Sequence, residues 1–493
     1  MTSYITGISA STSTQAGHFI DNLGQPKMYV TDWAQGMLTN IGRYSSGNWQ
    51  SDIDTYFSYR SAQGLTVHHD VMINCVDGAA NLATGGTWDG VAPFNSGGDP
   101  TTGLNNTFWT RVDYMISSAA SHGITVAWSI GLGYNWPTGR PYGGWTTAQF
   151  TAFCTAIGAR YPSSTHPNIL WLFGDDQDPG VTSIEDNWDT MLTALRANGA
   201  NQPVSVEWET ETTSRYDPNT GSPTSPNAAT WGVNNAAYEI VYTYQIAYWM
   251  MEFAWKDVTF GSPALLTPVQ IDGEWYQGSG SSYYAPTDRQ MRQEWWWTLT
   301  SGGRGFMAEA NNVYAADNSS WLSNAQTDWV FANNMGNIAI AFASWTNWYL
   351  LVPDLSSAFI TAGRGTHAAF TTAQYGETFT NTWVTASITP DGTLAVAYLS
   401  NHTTITCTTS MLAAGWTAQW VDPITCATSS AGSGPTFNST AKGSNSQGDP
   451  DWVLLFQAPS AATVTPSAVA GPAGIAPTVI PVRAGRRNAG HSR

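Results

Sequence analysis

Charge is the scarcest resource in this chain: Asp, Glu, Lys and Arg make up only 11% of its 493 residues, against roughly 25% in ordinary globular proteins. Cysteine is also sparse, with four in all, too few for a disulfide scaffold. Cys407 and Cys426 share one β-rich segment and form the single candidate pair, while Cys75 and Cys154 read as buried free thiols. No CxxC motif or His-rich cluster marks a metal site, and no cofactor motif appears. No GxGxxG follows the first strand, which removes support for dinucleotide binding. No apolar run approaches the ~18 residues of a membrane span. The N-terminus has neither a basic start nor an apolar stretch, so no signal peptide is visible. Basic residues are outnumbered 18 to 35, a formal charge of −17. That sign repels phosphate backbones and anionic lipid, so neither nucleic acid nor membrane is an expected partner.

What the chain has instead is aromatic and neutral polar side chains, with 25 Trp and 21 Tyr. A flat aromatic ring stacks on the apolar face of a sugar while its polar tip meets the hydroxyls, so neutral carbohydrate is the expected partner. Many of these rings must also fill the core, which a 42% hydrophobic content makes large. Solvation by Ser, Thr, Asn and Gly rather than by charge suits an extracellular or virion-borne protein, and the missing leader then calls for another route out.

The length predicts more than one domain. Across the first 350 residues, short apolar strands alternate with longer helical patterns. Strands are predicted at 27–32, 65–74, 124–130, 169–173, 203–207, 240–244, 265–271 and 305–309. Helical segments at 49–63, 107–122 and 186–198 run into Gly64, Gly123 and Gly199, each placed as a left-handed residue after a helix. Eight βα units of this length favour a closed (β/α)8 barrel over an open sheet. After about residue 355 the pattern becomes short alternating strands at 383–388, 393–399, 416–420 and 452–456, with an Asp391-Gly392 turn, which predicts an antiparallel β-sandwich. The expected organisation is an N-terminal extension over 1–17, a barrel over 18–350, a sandwich over 351–458 and an Ala/Pro-rich flexible tail over 459–493.

Long connections at 76–106, 131–146 and 208–234 mix Gly with Trp and Tyr and belong at the C-terminal rim, where barrels assemble their sites. Two strand ends carry acids beside aromatics: Trp171-Leu-Phe-Gly-Asp175-Asp176 on the fourth strand and Gln270-Ile-Asp272-Gly-Glu274-Trp275-Tyr276 on the seventh. Those strands face each other across a barrel. Glycoside hydrolysis needs two carboxyl groups flanking the scissile bond, about 5–5.5 Å apart for retention and roughly 6.5–9.5 Å for inversion. One of the two aspartates could instead cap the following helix. Trp33, Trp88, Trp136 and Trp275 are candidates for stacking on the sugar. His68, His69 and Asp70 lie together on the second strand, where alternate residues must face the helices, so only part of that trio can reach the site.

Several stretches are similar to the apiosidase-like barrel glycoside hydrolases, a family also described as a domain of unknown function. They are Asn22-Leu-Gly24-x-Pro26 with Val30-Thr-Asp32-Trp33, Arg60-Ser-Ala-Gln-Gly64, Pro167 to Asp176, Pro268 to Gly278, and Arg292-Gln-x-x-Trp296 followed by Gly302-Gly303-x-Gly305-Phe306. Downstream, Val352-Pro353-Asp354, Trp420-x-Asp422-Pro423 and Asp451-Trp452 resemble the β-sandwich that usually follows this barrel and is named for collagen binding. The resemblance spans residues 18–458. It implies a retaining glycosidase with Asp176 as acid/base and Glu274 as nucleophile, Asp32 and Trp33 on the sugar-binding floor, and possible substrates among pentofuranosides. The chain departs from the family at Asp175, where Gly is usual, so a second carboxylate crowds Asp176. It departs also at Glu207 and Glu209 on strand five, at Glu309 on strand eight and at Gln277, changes that bear on substrate rather than reaction. Glu207, Tyr276 and Glu309 join the candidate sugar-binding residues. The alternative is a glycan-binding or adhesion protein without catalysis, such as a phage tail-associated component.

Overall fold

A short antiparallel hairpin, β1 (Ile5–Ile8) and β2 (Phe19–Asp21), leads into a succession of parallel strands and helices. The computed structural model describes residues 2–9, 17–74, 80–81, 83–132, 144–177, 182–208, 212–213, 230–243, 247–261, 269–272, 276–277, 287–327, 330–367 and 382–459. For 131–132, 175–177, 269–272, 276–277 and 309, among others, that description is of the backbone alone. The succession runs β3 (Tyr29–Trp33), α1 (Met37–Asn40), α2 (Trp49–Ala62), β4 (Val67–Val71), α3 (Asn106–Ser121), β5 (Thr125–Leu132), α4 (Thr147–Arg160), β6 (Ile169–Gln177), α5 (Thr182–Ala197) and β7 (Val204–Trp208). It continues through β8 (Thr212–Thr213), α6 (Thr230–Asn235), β9 (Glu239–Tyr242), α7 (Ala247–Gly261), β10 (Val269–Asp272), β11 (Tyr276–Gln277), α8 (Asp288–Thr300), β12 (Gly305–Ala310), α9 (Asn311–Tyr314), α10 (Trp321–Thr327) and α11 (Val330–Ser344).

The eight barrel strands are β3, β4, β5, β6, β7, β9, β10 and β12. A parallel ladder joins β12, β3, β4, β5, β6 and β7 in that order, and a second joins β9 to β10. The Ala237 amide donates to the Val204 carbonyl at 2.7 Å and the Ser205 hydroxyl to the Tyr238 carbonyl at 2.6 Å, tying β7 to β9. Beyond β10, β11 pairs with β12 in the register Tyr276↔Glu309, which links the seventh and eighth staves. This is the (β/α)8 barrel expected from the alternation of strands and helices.

Local sequence explains the element ends. Gly64, Gly123 and Gly199 follow α2, α3 and α5 with φ of 83°, 78° and 94°, the left-handed geometry that stops a helix. Thr146 and Thr287 each accept from the amide three residues on, and Gln149 and Gln290 reach back, so α4 and α8 open with capping boxes of the Thr-x-x-Gln form. Outward-facing Val126, Trp128, Trp171, Phe173 and Val206 pack under the helices. Inward-facing Tyr29, Val67, Ala127, Leu170, Leu172 and Ile240 form a separate core with Ile5 and Phe19 of the hairpin. The Thr125 hydroxyl at the start of β5 donates to the Ile5 carbonyl at 2.9 Å. The hairpin therefore plugs the N-terminal end of the barrel, leaving the C-terminal end for a site.

The C-terminal region contains β13 (Val352–Pro353), β14 (Ile360–Ala362), β15 (Val384–Ile388), β16 (Leu394–Leu399), β17 (Thr404–Cys407), β18 (Thr417–Val421), β19 (Thr428–Gly432), β20 (Thr436–Asn438), α12 (Ser439–Lys442) and β21 (Trp452–Gln457). One antiparallel sheet has the order β13-β15-β16-β21-β18-β19 and the other β14-β17-β20. Phe359, Ile405, Phe437, Leu454 and Phe456 lie between them. The opposite face of the larger sheet, through Val396, Tyr398, Val453 and Leu455, shares a core with Trp295 and Trp296 of α8. Barrel and sandwich form one compact unit, Met1–Pro459. Residues 460–493, where the flexible tail is expected, lie outside the described residues, as does Cys75.

Cys407 and Cys426 do not pair: both are free thiols, as is the buried Cys154. Cys407 sits in the smaller sheet with its side chain in the sandwich core, while the Cys426 sulfur contacts the Asn337 carbonyl of α11 at 3.5 Å. Burial pushes both thiols up to about 12, so neither is a thiolate near neutrality.

Candidate active site

The alternation of each strand decides which candidates reach the lumen. On β3, Tyr29 belongs to the inner core, so Thr31 and Trp33 share its face and Asp32 points to the helices. On β4, Val67, His69 and Val71 face inward, and His68 and Asp70 face outward. Contacts confirm the division. Asp32 accepts from Arg60 Nε at 2.6 Å and from the Tyr56 hydroxyl, both on α2, and its other oxygen lies 3.3 Å from His68 Nδ1. His68 Nε2 in turn lies 3.6 Å from Asp70. All four charged groups are buried. The place expected for Asp32 on the sugar-binding floor is therefore not the one it occupies. Strand periodicity turns it away from the lumen, into an ion pair that staples β3 to α2.

Electrostatics in this cluster follow from burial and pairing together. Burial opposes charge on Asp32, but Arg60 and the hydrogen bonds from His68 and Tyr56 outweigh it and hold the carboxyl below the usual carboxylate range. Burial likewise opposes a charged His68, yet its bonds to Asp32 and Asp70 push it up to about 9. Asp70 is pushed up to about 6 by burial, against the pull of His68. Two cations and two acids thus balance each other behind the sheet.

Inside the lumen, Trp33 and His69 sit side by side, as their β3/β4 register dictates. Their ring centroids are 3.7 Å apart, with the planes inclined by 58°. His69 Nε2 lies 3.4 Å from the Ser129 hydroxyl on β5. Burial, followed by the charge on His68, drives the His69 pKa well below 6.5, so the imidazole is neutral. Glu207 projects from the lumen face of β7 and is 2% exposed.

The fourth strand ends in a bulge. Its register runs Gly174↔Glu207 and resumes at Gln177↔Trp208, so Asp175 and Asp176 are looped out between consecutive partners at the C-terminal rim. Gly174 makes this possible: its φ is 91°, and a Cβ there would come within 1.8 Å of the Glu207 carbonyl oxygen. Bulges of this kind re-aim side chains beside active sites.

Glu274 and Trp275 lie outside the described residues, between β10 and β11, and Trp136 lies outside them on the connection after β5. Tyr276 and Glu309 are placed by backbone only, as partners in the β11/β12 ladder. Trp88 is 38% exposed, and its Nε1 donates to the Ile41 carbonyl at 2.8 Å, which fixes the ring on the connection after β4. Among the described residues no group of three His, Cys, Asp or Glu is arranged to hold a metal ion, and no helix is long and apolar enough to cross a membrane. Of the trio His68, His69 and Asp70 that the sequence brought forward, the phase of β4 turns His69 to the lumen, and Ser129 was not singled out for this site by the sequence.

Barrel, plugged base and acids at the opposite rim define a protein of the glycoside-hydrolase class. A family model described as "Apiosidase-like, catalytic domain" matches residues 14–348, and the chain belongs to this family. It is a glycosidase. Among solved structures, one described as a glycoside hydrolase has 16% identity and a TM-score of 0.68, covering 92% of this chain and 97% of its own. A glycoside hydrolase family 5 protein from Bacteroides vulgatus ATCC 8482 has 16% identity and a TM-score of 0.65, covering 93% of this chain and 94% of its own. At such identities the likeness is one of fold. No curated protein matches the chain.

Proposed function

We propose that the chain is a retaining glycosidase acting on a neutral, pentofuranosidic glycan, with Asp176 as acid/base and Glu274 as nucleophile. The observation that carries the reading is the bulged end of β6, which sets Asp175 and Asp176 at the rim of a barrel matched over its whole length by the apiosidase-like model. Glu274 follows β10, the stave opposite.

In the first step the Asp176 carboxyl gives its proton to the departing glycosidic oxygen as a Glu274 oxygen bonds to the anomeric carbon. In the second, Asp176 takes a proton from water, whose oxygen displaces Glu274 and restores the free carboxylate. Asp175 adds a like charge next to Asp176, and like charges that close raise one of the two pKa values, which keeps an acid protonated nearer neutrality. Glu207 and Glu309 supply acceptors for sugar hydroxyls, and Trp88, Trp136, Trp275 and Tyr276 supply aromatic contact. The sparse charge of the chain supports an extracellular or virion-borne setting.

The test is the anomeric configuration of the first-formed product, followed by proton NMR during hydrolysis of 4-nitrophenyl pentofuranosides and pyranosides. Release of the same anomer as the substrate supports the scheme. Release of the opposite anomer would remove Glu274 from the role of nucleophile.

A further inference from the structure

Two lumen side chains carry polar atoms that the described residues leave unused. Trp33 is 3% exposed, and its Nε1–H has no hydrogen-bond partner. His69 is 1% exposed and uses Nε2 towards Ser129, which leaves Nδ1 without a partner among the described residues. Their rings are in contact, so both atoms belong to one small patch of the lumen wall. Buried indole and imidazole nitrogens ordinarily find partners. Indole nitrogens of Trp128, Trp188 and Trp231 are unpartnered too, but Trp128 stands on the outward phase of β5 and the other two belong to helices α5 and α6. Trp33 differs in facing the lumen above a plugged base.

We infer that Trp33 and His69 together read the hydroxyls of the bound sugar, Trp33 through its N–H rather than its ring face and His69 through Nδ1. The inference rests on the glycosidase reading of this lumen. It deepens that reading by naming a recognition pair. The Trp33 ring packs against His69, so the indole offers its donor edge. An indole N–H can only donate, so it selects a hydroxyl oxygen, while a neutral imidazole nitrogen takes or gives one proton according to tautomer. The ligand class is an uncharged sugar with neighbouring hydroxyls, since Trp33, His69 and Ser129 supply directional polar atoms and no full charge. His69 owes its place partly to an outward neighbour on its own strand: His68 is paired with Asp32 on one side and Asp70 on the other, which supports the phase of β4.

Saturation-transfer NMR on the full chain, with D-xylose, L-arabinose, D-glucose, D-mannose and D-galactose as probes, tests the pair without requiring turnover. At least one sugar should bind the wild-type chain. Trp33→Phe, which keeps an aromatic ring, though a smaller one, and removes the donor, should weaken that binding about three- to tenfold, as should His69→Gln. His69→Asn, whose amide falls near the Nδ1 position, should restore most of the loss at an unchanged Tm. Binding unaffected by Trp33→Phe and His69→Gln, or binding of none of the five sugars, overturns the inference. Hydrolysis that persists in Glu274→Gln would sink the catalytic scheme while leaving this binding result to stand or fall separately.

Discussion

Asp32 shows how much one residue's neighbours decide its role. Next to Trp33 on the chain, it points to the opposite side of the sheet and spends both oxygens on Arg60, Tyr56 and His68. Removing one partner of a buried ion pair costs about 3–5 kcal/mol, because the other charge stays buried and unpaired. Asp32→Asn should therefore lower the unfolding free energy by that amount in denaturant melts, and a loss comparable to a surface substitution would show the cluster to be incidental. His68 gives the cluster a pH signature. Its folded pKa of about 9 lies above the ordinary 6.5, so the folded chain holds this proton more tightly than the unfolded one. The resulting stability is fully present below about 6.5 and drains away as pH rises through about 9. Thermal melts at pH 6, 7.5 and 9.5 should show a steeper alkaline loss for wild type than for His68→Gln; parallel curves would mean that His68 is not charged in the fold.

At the scale of elements, β6 and α8 are decisive. The bulge of β6 depends on Gly174, whose left-handed φ alone is worth ~1–3 kcal/mol to a residue with a side chain, before the contact with the Glu207 carbonyl is counted. Gly174→Ala should lower Tm and abolish activity together; an active, stable variant would show that the bulge does not position the acids. On α8, Arg292 makes paired bonds of 2.9 Å to both Asp451 oxygens and a third to Asp449, and Trp296 donates to the Pro423 carbonyl at 3.0 Å. The Arg292-Gln-x-x-Trp296 and Asp451-Trp452 motifs are thus two halves of the barrel–sandwich seam. Arg292→Lys keeps the charge but not the fork that reaches both aspartates, so it should destabilise nearly as much as Arg292→Ala, read as a fall in Tm for each. Stability close to wild type in the lysine variant would reduce the seam to simple charge balance.

Over the whole molecule, the order of strands and helices was legible because hydrophobic period and helix-stopping glycines act locally. Strands placed by pattern at 124–130 and 305–309 appear as Thr125–Leu132 and Gly305–Ala310. The end of β6 at Gln177 was not legible, since a glycine that closes a strand and one that bulges it look alike in sequence. The Cys407–Cys426 candidate failed for a related reason: proximity along a β-rich segment does not say that Cys407 joins the smaller sheet while Cys426 lies in the turn between β18 and β19. The lumen pair of Trp33 and His69 was half legible, through alternation, but the partners that Asp32 finds on α2, Arg60 and Tyr56, are not revealed by any spacing along β3 or β4.

The central claim is that acids at the ends of opposite staves perform hydrolysis. Release of reducing sugar from a panel of plant and bacterial polysaccharides should be measured for wild type, Glu274→Gln, Asp176→Asn and Asp175→Asn at matched folding. The account predicts hydrolysis by wild type, its loss by about 10³-fold or more in Glu274→Gln and Asp176→Asn, and a smaller loss in Asp175→Asn. Undiminished release by the Glu274→Gln or Asp176→Asn protein would contradict it.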